Sequence, residues 1–405
     1  MPGNPPPITL RKFPYPYTCA LSICSDLDVT DGVEHYVMLQ KYLCTNQETK
    51  IGRGLGLETG NSFWFFRNSD TPGLSYFQEL SQSETEFAPI IRELISSGHI
   101  DVLHTYGDFN SGGFERKFAE IAEEEMQRHG MKISTWVNHG NPKNAQNIGD
   151  LPWFGGDDPA SPAFHLDITK ELGLRYFWQS QLTHLVGQNC VWTAKNRFKN
   201  TIQKAIAVKN RGRQIDPFFS NRLVEKVQAR DGSELLTFMR FINPWGKHAF
   251  TDIHNLPNQI GEPVLRELVR NKGCMILYTH LGSNRRRDSW MPPAARGCLE
   301  NLARFNRDGK IFIATTTRLL RYLEMIENIR FTVRETAGGT EIHLQIPNDV
   351  DADFQGLTLY CTEPGKTALF FQERSLEIQM NHPDNSGLPS ISIPWRRLEF
   401  PEDLH

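Results

Sequence analysis

Four short apolar runs in this chain end directly in carboxylates or imidazoles. The run from Cys19 leads into Ser25-Asp26-Leu27-Asp28, and the run from Ile100 into His104-Thr105-Tyr106-Gly107-Asp108. The run through Trp136 ends in Asn138-His139-Gly140-Asn141, and the run from Cys274 ends in His280-Leu281-Gly282. Singly, each has a commonplace explanation, because Asp and Asn cap helices and shape turns. Four of them at equivalent places are harder to explain by capping. Carboxylate oxygens mixed with imidazole nitrogens suit a divalent first-row ion, Zn²⁺ first among them, with room left for water. An aspartate or histidine beside such a ligand set is placed for general acid and base work.

The elements between these runs have the beat needed to bring them together. Apolar stretches over 19–25, 100–103, 132–137, 174–178, 274–279 and 311–314 read as strands. Helices are predicted over 33–43, 114–128, 168–172, 262–270, 294–305 and 317–326. A further helix is expected from Ser83, where Glu86 completes a capping box and Phe87, Ile90, Ile91 and Leu94 share one face. Strands alternating with helices imply an α/β protein, here a distorted (β/α) barrel, in which the strand ends share one face. In the turn after Ile100, Gly107 is expected to free the backbone so that His104 and Asp108 swing toward one point. The stretch 185–260 is mixed, with a Pro-Trp-Gly turn at 244–246. Past residue 328, six short strands separated by turn residues imply a small all-β sandwich, giving a division into 1–328 and 329–405.

Composition narrows the classes. The 405 residues are 39% hydrophobic and 22% charged with a net charge of -3, which gives no electrostatic footprint for nucleic acid. The proline-rich start has no apolar h-region, and no run approaches the ~20 apolar residues of a membrane span, so a cytoplasmic protein is expected. Most of the seven cysteines, which make no CxxC spacing, read as buried thiols, and Cys24, though close enough to the candidate site for a nucleophile, reads as a small strand hydrophobe.

The ordered residues also resemble the polysaccharide deacetylase family, carbohydrate esterase family four. The resemblance lies in the Asp pair on the first strand, a His followed four residues later by another ligand type, and a late apolar strand ending in His. It extends to Gly309-Lys310-Ile311-Phe312-Ile313-Ala314-Thr315 before a Leu-Leu helix, and spans roughly residues 15–326. It implies that Asp28, His104 and Asp108 bind one divalent metal, that Asp26 is the catalytic base, and that His280 is the acid that protonates a leaving amine. The substrate it implies is an N-acetylated sugar.

Three departures stand out. Leu27 separates two aspartates that are adjacent in the family, so base and ligand can exchange between Asp26 and Asp28. Asp108 stands where the family has His. The third motif's Arg and Pro are missing, and Trp136, Asn138 and His139 occupy that strand end. These three, with Arg285 of the Arg285-Arg286-Arg287 run, are the expected substrate contacts, Trp136 as an aromatic platform and Arg285 as a fork for an anionic group. Two other functions fit the same residues: a glycoside hydrolase using the carboxylates, and a carbohydrate-binding protein without turnover.

Overall fold

The strand Cys19–Ser25 is buried at every position, as a strand covered on both faces must be. In the computed structural model, which describes residues 8–30, 32–69, 73–140, 144–209, 221–244, 251–283, 289–401 and 404, it is the axis of an eleven-stranded sheet. One of its edges pairs with Cys274–Thr279 from Ala20↔Cys274 to Ser25↔Thr279. The other edge is shared, with Ile311–Ile313 along its first half and Gly60–Phe63 at its end. From Gly60–Phe63 the sheet continues in parallel through Ile100–Leu103, Thr135–Val137, Tyr176–Trp178 and Glu234–Phe238. The next residues, Arg240–Phe241, pair instead with Cys274–Thr279 and Leu182–Thr183. The protein is therefore α/β, with a curled, mostly parallel half-barrel sheet; the antiparallel pairing of Val224–Gln228 with Glu234–Phe238 is the exception. Parallel strands share a direction, so the loops after Ser25, Leu103, Val137 and Thr279 gather at one rim.

One helix ties the opposite ends of these strands together. In Thr316–Asn328, the Thr316 hydroxyl is 3.0 Å from that of Ser22, and the Thr317 hydroxyl is 2.8 Å from that of Thr135. The Thr317 N–H donates to Asp101 Oδ2 at 2.6 Å, which supplies an acceptor to one of the free amides at the helix start. Further along, Arg321 donates to the Ser134 hydroxyl and Glu324 accepts from the Tyr176 hydroxyl and from Arg175. A single helix thus bonds to four strands, three of them at their starts.

The helix expected from Ser83 starts later, at Ala88–Ser96, with Pro89 in its first turn. The Thr85 hydroxyl accepts from the Phe87 N–H at 3.2 Å, a local bond that competes with helix. Strands 19–25, 100–103 and 274–279 have the predicted bounds. The mixed stretch holds a helix, Ala194–Lys209, besides its strands. Most of the predicted 244–246 turn, and Arg285, lie outside the described residues.

The C-terminal strands form two four-stranded sheets. One is separate and antiparallel, and it takes in Thr9–Leu10 from the start of the chain beside Thr358–Tyr360. The other runs Arg330–Thr336, Gly339–Gln345, Thr367–Phe371 and Arg374–Ser375, with a parallel pair at its middle. Residue 328 is the end of the crossing helix, yet an apolar cluster continues past it, from Leu319 and Leu323 to Ile342, Leu344, Leu369 and Ile391. Among the described residues no helix is long and apolar enough to cross a membrane.

Burial pushes the Asp101 carboxyl up to about 6, outweighing the bonds from Thr317 and Thr315 that favour its charge. A carboxyl raised on folding binds a proton that the unfolded chain has already lost, so its contribution to stability falls as pH climbs from about 4 through about 6. Asp101→Asn keeps an acceptor for Thr317 and removes the buried charge. Urea denaturation should find the variant more stable than wild type by on the order of 1–3 kcal/mol at pH 8 and equal to it near pH 4; the same difference at both pH values would contradict this account of Asp101.

Candidate metal centre and its cleft

Three imidazoles from three strand ends converge on one carboxylate oxygen. Asp28 Oδ2 is 3.2 Å from His104 Nε2, 3.1 Å from His280 Nε2 and 3.7 Å from His139 Nδ1. His104 Nε2 and His139 Nδ1 are 3.1 Å apart, with their rings at 87°. Trp64 fixes that arrangement: its indole stacks on His104 at 5.4 Å and meets His139 edge-on at 5.3 Å. The group opens into a cleft of about 280 Å³, whose walls include Asp28, Trp64, Asp108, Asn110, His139 and His280.

The backbone after Ile100–Leu103 turns sharply at Thr105, whose φ of 56° is in the left-handed region, uncommon for a β-branched residue. Its hydroxyl donates within the same turn, to the carbonyls of His104 and Gly107. Gly107, expected to supply this freedom, is required for a different reason. A Cβ there would come within 2.5 Å of the Phe66 carbonyl, so the glycine permits close approach of two backbones and Thr105 makes the turn.

Asp26 commits both its oxygens to an ion pair. Its oxygens accept from Arg240 Nη1 at 2.8 and 3.1 Å and from Nη2 at 3.0 Å, with both side chains wholly buried. The guanidinium is clamped between Trp178 and Tyr278, 3.6 and 3.7 Å from their ring centres. Asp26 still borders the centre, since its Oδ2 is 4.0 Å from His104 Nε2 and it groups with Asp28 and His280. Arg240 was missed by sequence reasoning. The signal was there, a lone arginine in the apolar run Phe238-Met239-Arg240-Phe241-Ile242, where only a buried partner would justify a charge.

The remaining expected residues separate into two groups. His139 and Asp108 belong to the cleft, but Asp108 Oδ1 lies on the far nitrogen of His139, 3.4 Å from Nε2. Trp136 and Asn138, expected as substrate contacts, lie beneath it, fully buried. The indole N–H of Trp136 donates to Asn138 Oδ1, and Asn138 holds Ile148 at both its N–H and its carbonyl. The loop so anchored brings Asn147 to bond the His139 N–H and carbonyl. These residues act on the site through the position of His139 and touch nothing in the cleft. Trp64, not Trp136, is the aromatic wall.

Proton affinities follow from this packing. Burial works against the charge of Asp28, but His139, His104 and His280 together hold its carboxyl well below the usual carboxylate range. Burial likewise opposes charge on His280 and His139; Asp28, aided by Asp26 and for His139 also by Asp108, outweighs it and moves both upward. Around this centre three buried atoms, Asp28 Oδ1, His104 Nδ1 and Asn110 Oδ1, have no hydrogen-bond partner among the described residues. A carboxylate and imidazole donor set with a buried carboxylate oxygen to spare fits a divalent first-row cation. Asp28, His104 and His139 form one such group, and Asp26, Asp28 and His280 an adjoining one.

Comparison of the chain with protein-family models, curated proteins and solved structures finds no match. The chemistry therefore rests on the geometry above.

Arg240→Met leaves Asp26 charged and alone in the interior. Such a change costs ~3–5 kcal/mol, whereas replacing both members of a buried pair is often close to neutral. Denaturation midpoints should drop sharply for Arg240→Met and recover most of the loss in Asp26→Asn/Arg240→Met. Equal destabilisation of the single and double variants would show that Arg240 is held for its packing against Trp178 and Tyr278 alone.

Proposed function

We propose that this chain is a metal-dependent hydrolase of the polysaccharide deacetylase kind, removing an acetyl group from an N-acetylated sugar. On this reading the curled sheet is a distorted (β/α) barrel and the C-terminal strands are an accessory β-sandwich. The observation that carries it is the meeting of Asp28 with His104, His139 and His280 at the mouth of a cleft, three imidazoles within 3.7 Å of one carboxylate oxygen. Asp28 and His104 are the core of the ligand set. A cation bound there supplies Lewis acidity toward an acyl oxygen and a water.

The chain's own residues supply the proton transfers. Asp26 is the base that takes a proton from the attacking water, and Arg240 fixes the direction of its carboxylate. His280 is the acid for the leaving amine. Its Nε2 is 3.1 Å from Asp28 Oδ2, which places the imidazole beside the ligand set and on the wall of the cleft. Trp64 borders the cleft, with its indole taken up by packing on His104 and His139.

Acetate should be released from N-acetylated amino-sugar oligomers by the zinc-loaded protein, and release should stop with chelator and return on adding Zn²⁺. His280→Ala should retain zinc while its kcat falls by ~10²–10⁴-fold, the usual worth of a general acid. Zinc lost in His280→Ala would make that residue a ligand. Reducing ends formed in place of acetate would select glycoside hydrolysis.

A further inference from the structure

We infer that His139, through Nδ1, is the third protein ligand of the cation, and that Asp108 and Asn110 are positioning residues that hold its ring by the opposite nitrogen. This deepens the metal-centre reading above and rests on it. Three distances carry the assignment. His104 Nε2, His139 Nδ1 and Asp28 Oδ2 are 3.1, 3.2 and 3.7 Å from one another. Ligand atoms ~2.0–2.2 Å from a tetrahedral zinc are separated by ~3.3–3.6 Å, so the three atoms already outline one face of such a site. The imidazole planes stand at 87° and Trp64 packs on both, which fixes the two rings relative to each other.

The far side of His139 shows which nitrogen is free to bind. Nδ1 can offer a lone pair only when the proton is on Nε2, and Nε2–H then needs an acceptor. Asp108 Oδ1 is such an acceptor at 3.4 Å. Asn110 is closer, with Nδ2 at 2.7 Å from Nε2, while its own Oδ1 is buried without a partner among the described residues. Rotating that amide by half a turn, an assignment that heavy-atom positions alone do not fix, places Oδ1 against Nε2–H and satisfies the orphaned oxygen. The backbone N–H of Asn110 bonds Asp108 Oδ1 at 3.1 Å, so both side chains are set by one short turn. A ligating histidine whose second nitrogen donates to a carboxylate or carbonyl is the usual way to fix its tautomer and orientation. Asp108 as a direct ligand would have to leave this contact and pass around the ring of His139.

The test uses the full chain and Zn²⁺ itself. Zinc affinity, measured by competition with a chromophoric chelator, should collapse in His139→Ala to the same degree as in His104→Ala. Asp108→Ala should still bind one zinc but 10–100-fold more weakly, as loss of an orienting partner does, and Asp108→Asn should regain part of that because it keeps an acceptor. Histidine ¹⁵N shifts of the zinc-loaded wild type give a readout independent of variant folding: His139 should be metallated at Nδ1 and protonated at Nε2. An unmetallated His139, or near wild-type affinity in His139→Ala alongside collapse in Asp108→Ala, overturns the assignment while leaving a metal centre standing. Wild-type protein that takes up no zinc overturns the metal reading itself, and this inference with it.

Discussion

Two carboxylates two residues apart at the end of a buried strand repel each other unless each is matched by positive charge. Arg240 matches Asp26 and Asp28 is left to the imidazoles, a division that orders the rim of the sheet. The guanidinium comes from the run in which the chain leaves Tyr176–Trp178 and joins Cys274–Thr279, so the ion pair also ties the first strand to that crossing. With one negative charge neutralised by a fixed partner, the second remains for histidines or a cation. Buried ion pairs are weak evidence for stability but strong determinants of arrangement in a site such as this.

The two ends of the half-barrel do different work. At the rim, polar groups crowd together with some left unsatisfied, and a β-branched residue sits at positive φ. Below, the Thr316–Asn328 helix spans four strands through hydroxyls, Asp101 and Glu324, and the apolar cluster continues from it into the C-terminal strands. Strain at the rim is tolerable because the strands beneath it are held from the other side. The loop that carries His139 shows the same economy: Trp136, Asn138 and Asn147 form a chain of hydrogen bonds whose last link is the backbone of the histidine.

Much of this was legible in the sequence because apolar runs ending in polar residues report strand ends directly. The strands 19–25, 100–103 and 274–279, and the gathering of Asp26, Asp28, His104, His139 and His280, follow from that pattern. The division of labour among them does not. Whether Asp108 lies in front of the His139 ring or behind it depends on the turn at Thr105, and sequence does not announce positive φ at a threonine. Arg240 was hidden inside the stretch 185–260, whose mixed pattern gave no strand to place it on. Trp136 was expected as a platform for substrate because strand-end aromatics invite that reading, yet the bond to Asn138 gives its N–H a buried partner and removes any need for exposure. The addition of Thr9–Leu10 to a C-terminal sheet is a long-range pairing for which a proline-rich start gives no local cue.

The central claim is that Asp28, His104 and His139 surround one cation at the mouth of the cleft. Anomalous diffraction at the zinc edge, from crystals of the full chain grown with Zn²⁺, tests it directly. The account predicts one strong peak within ~2.0–2.2 Å of Asp28 Oδ2, His104 Nε2 and His139 Nδ1; no peak in that cleft, or a peak bound to Asp108 with His139 turned away, would contradict it.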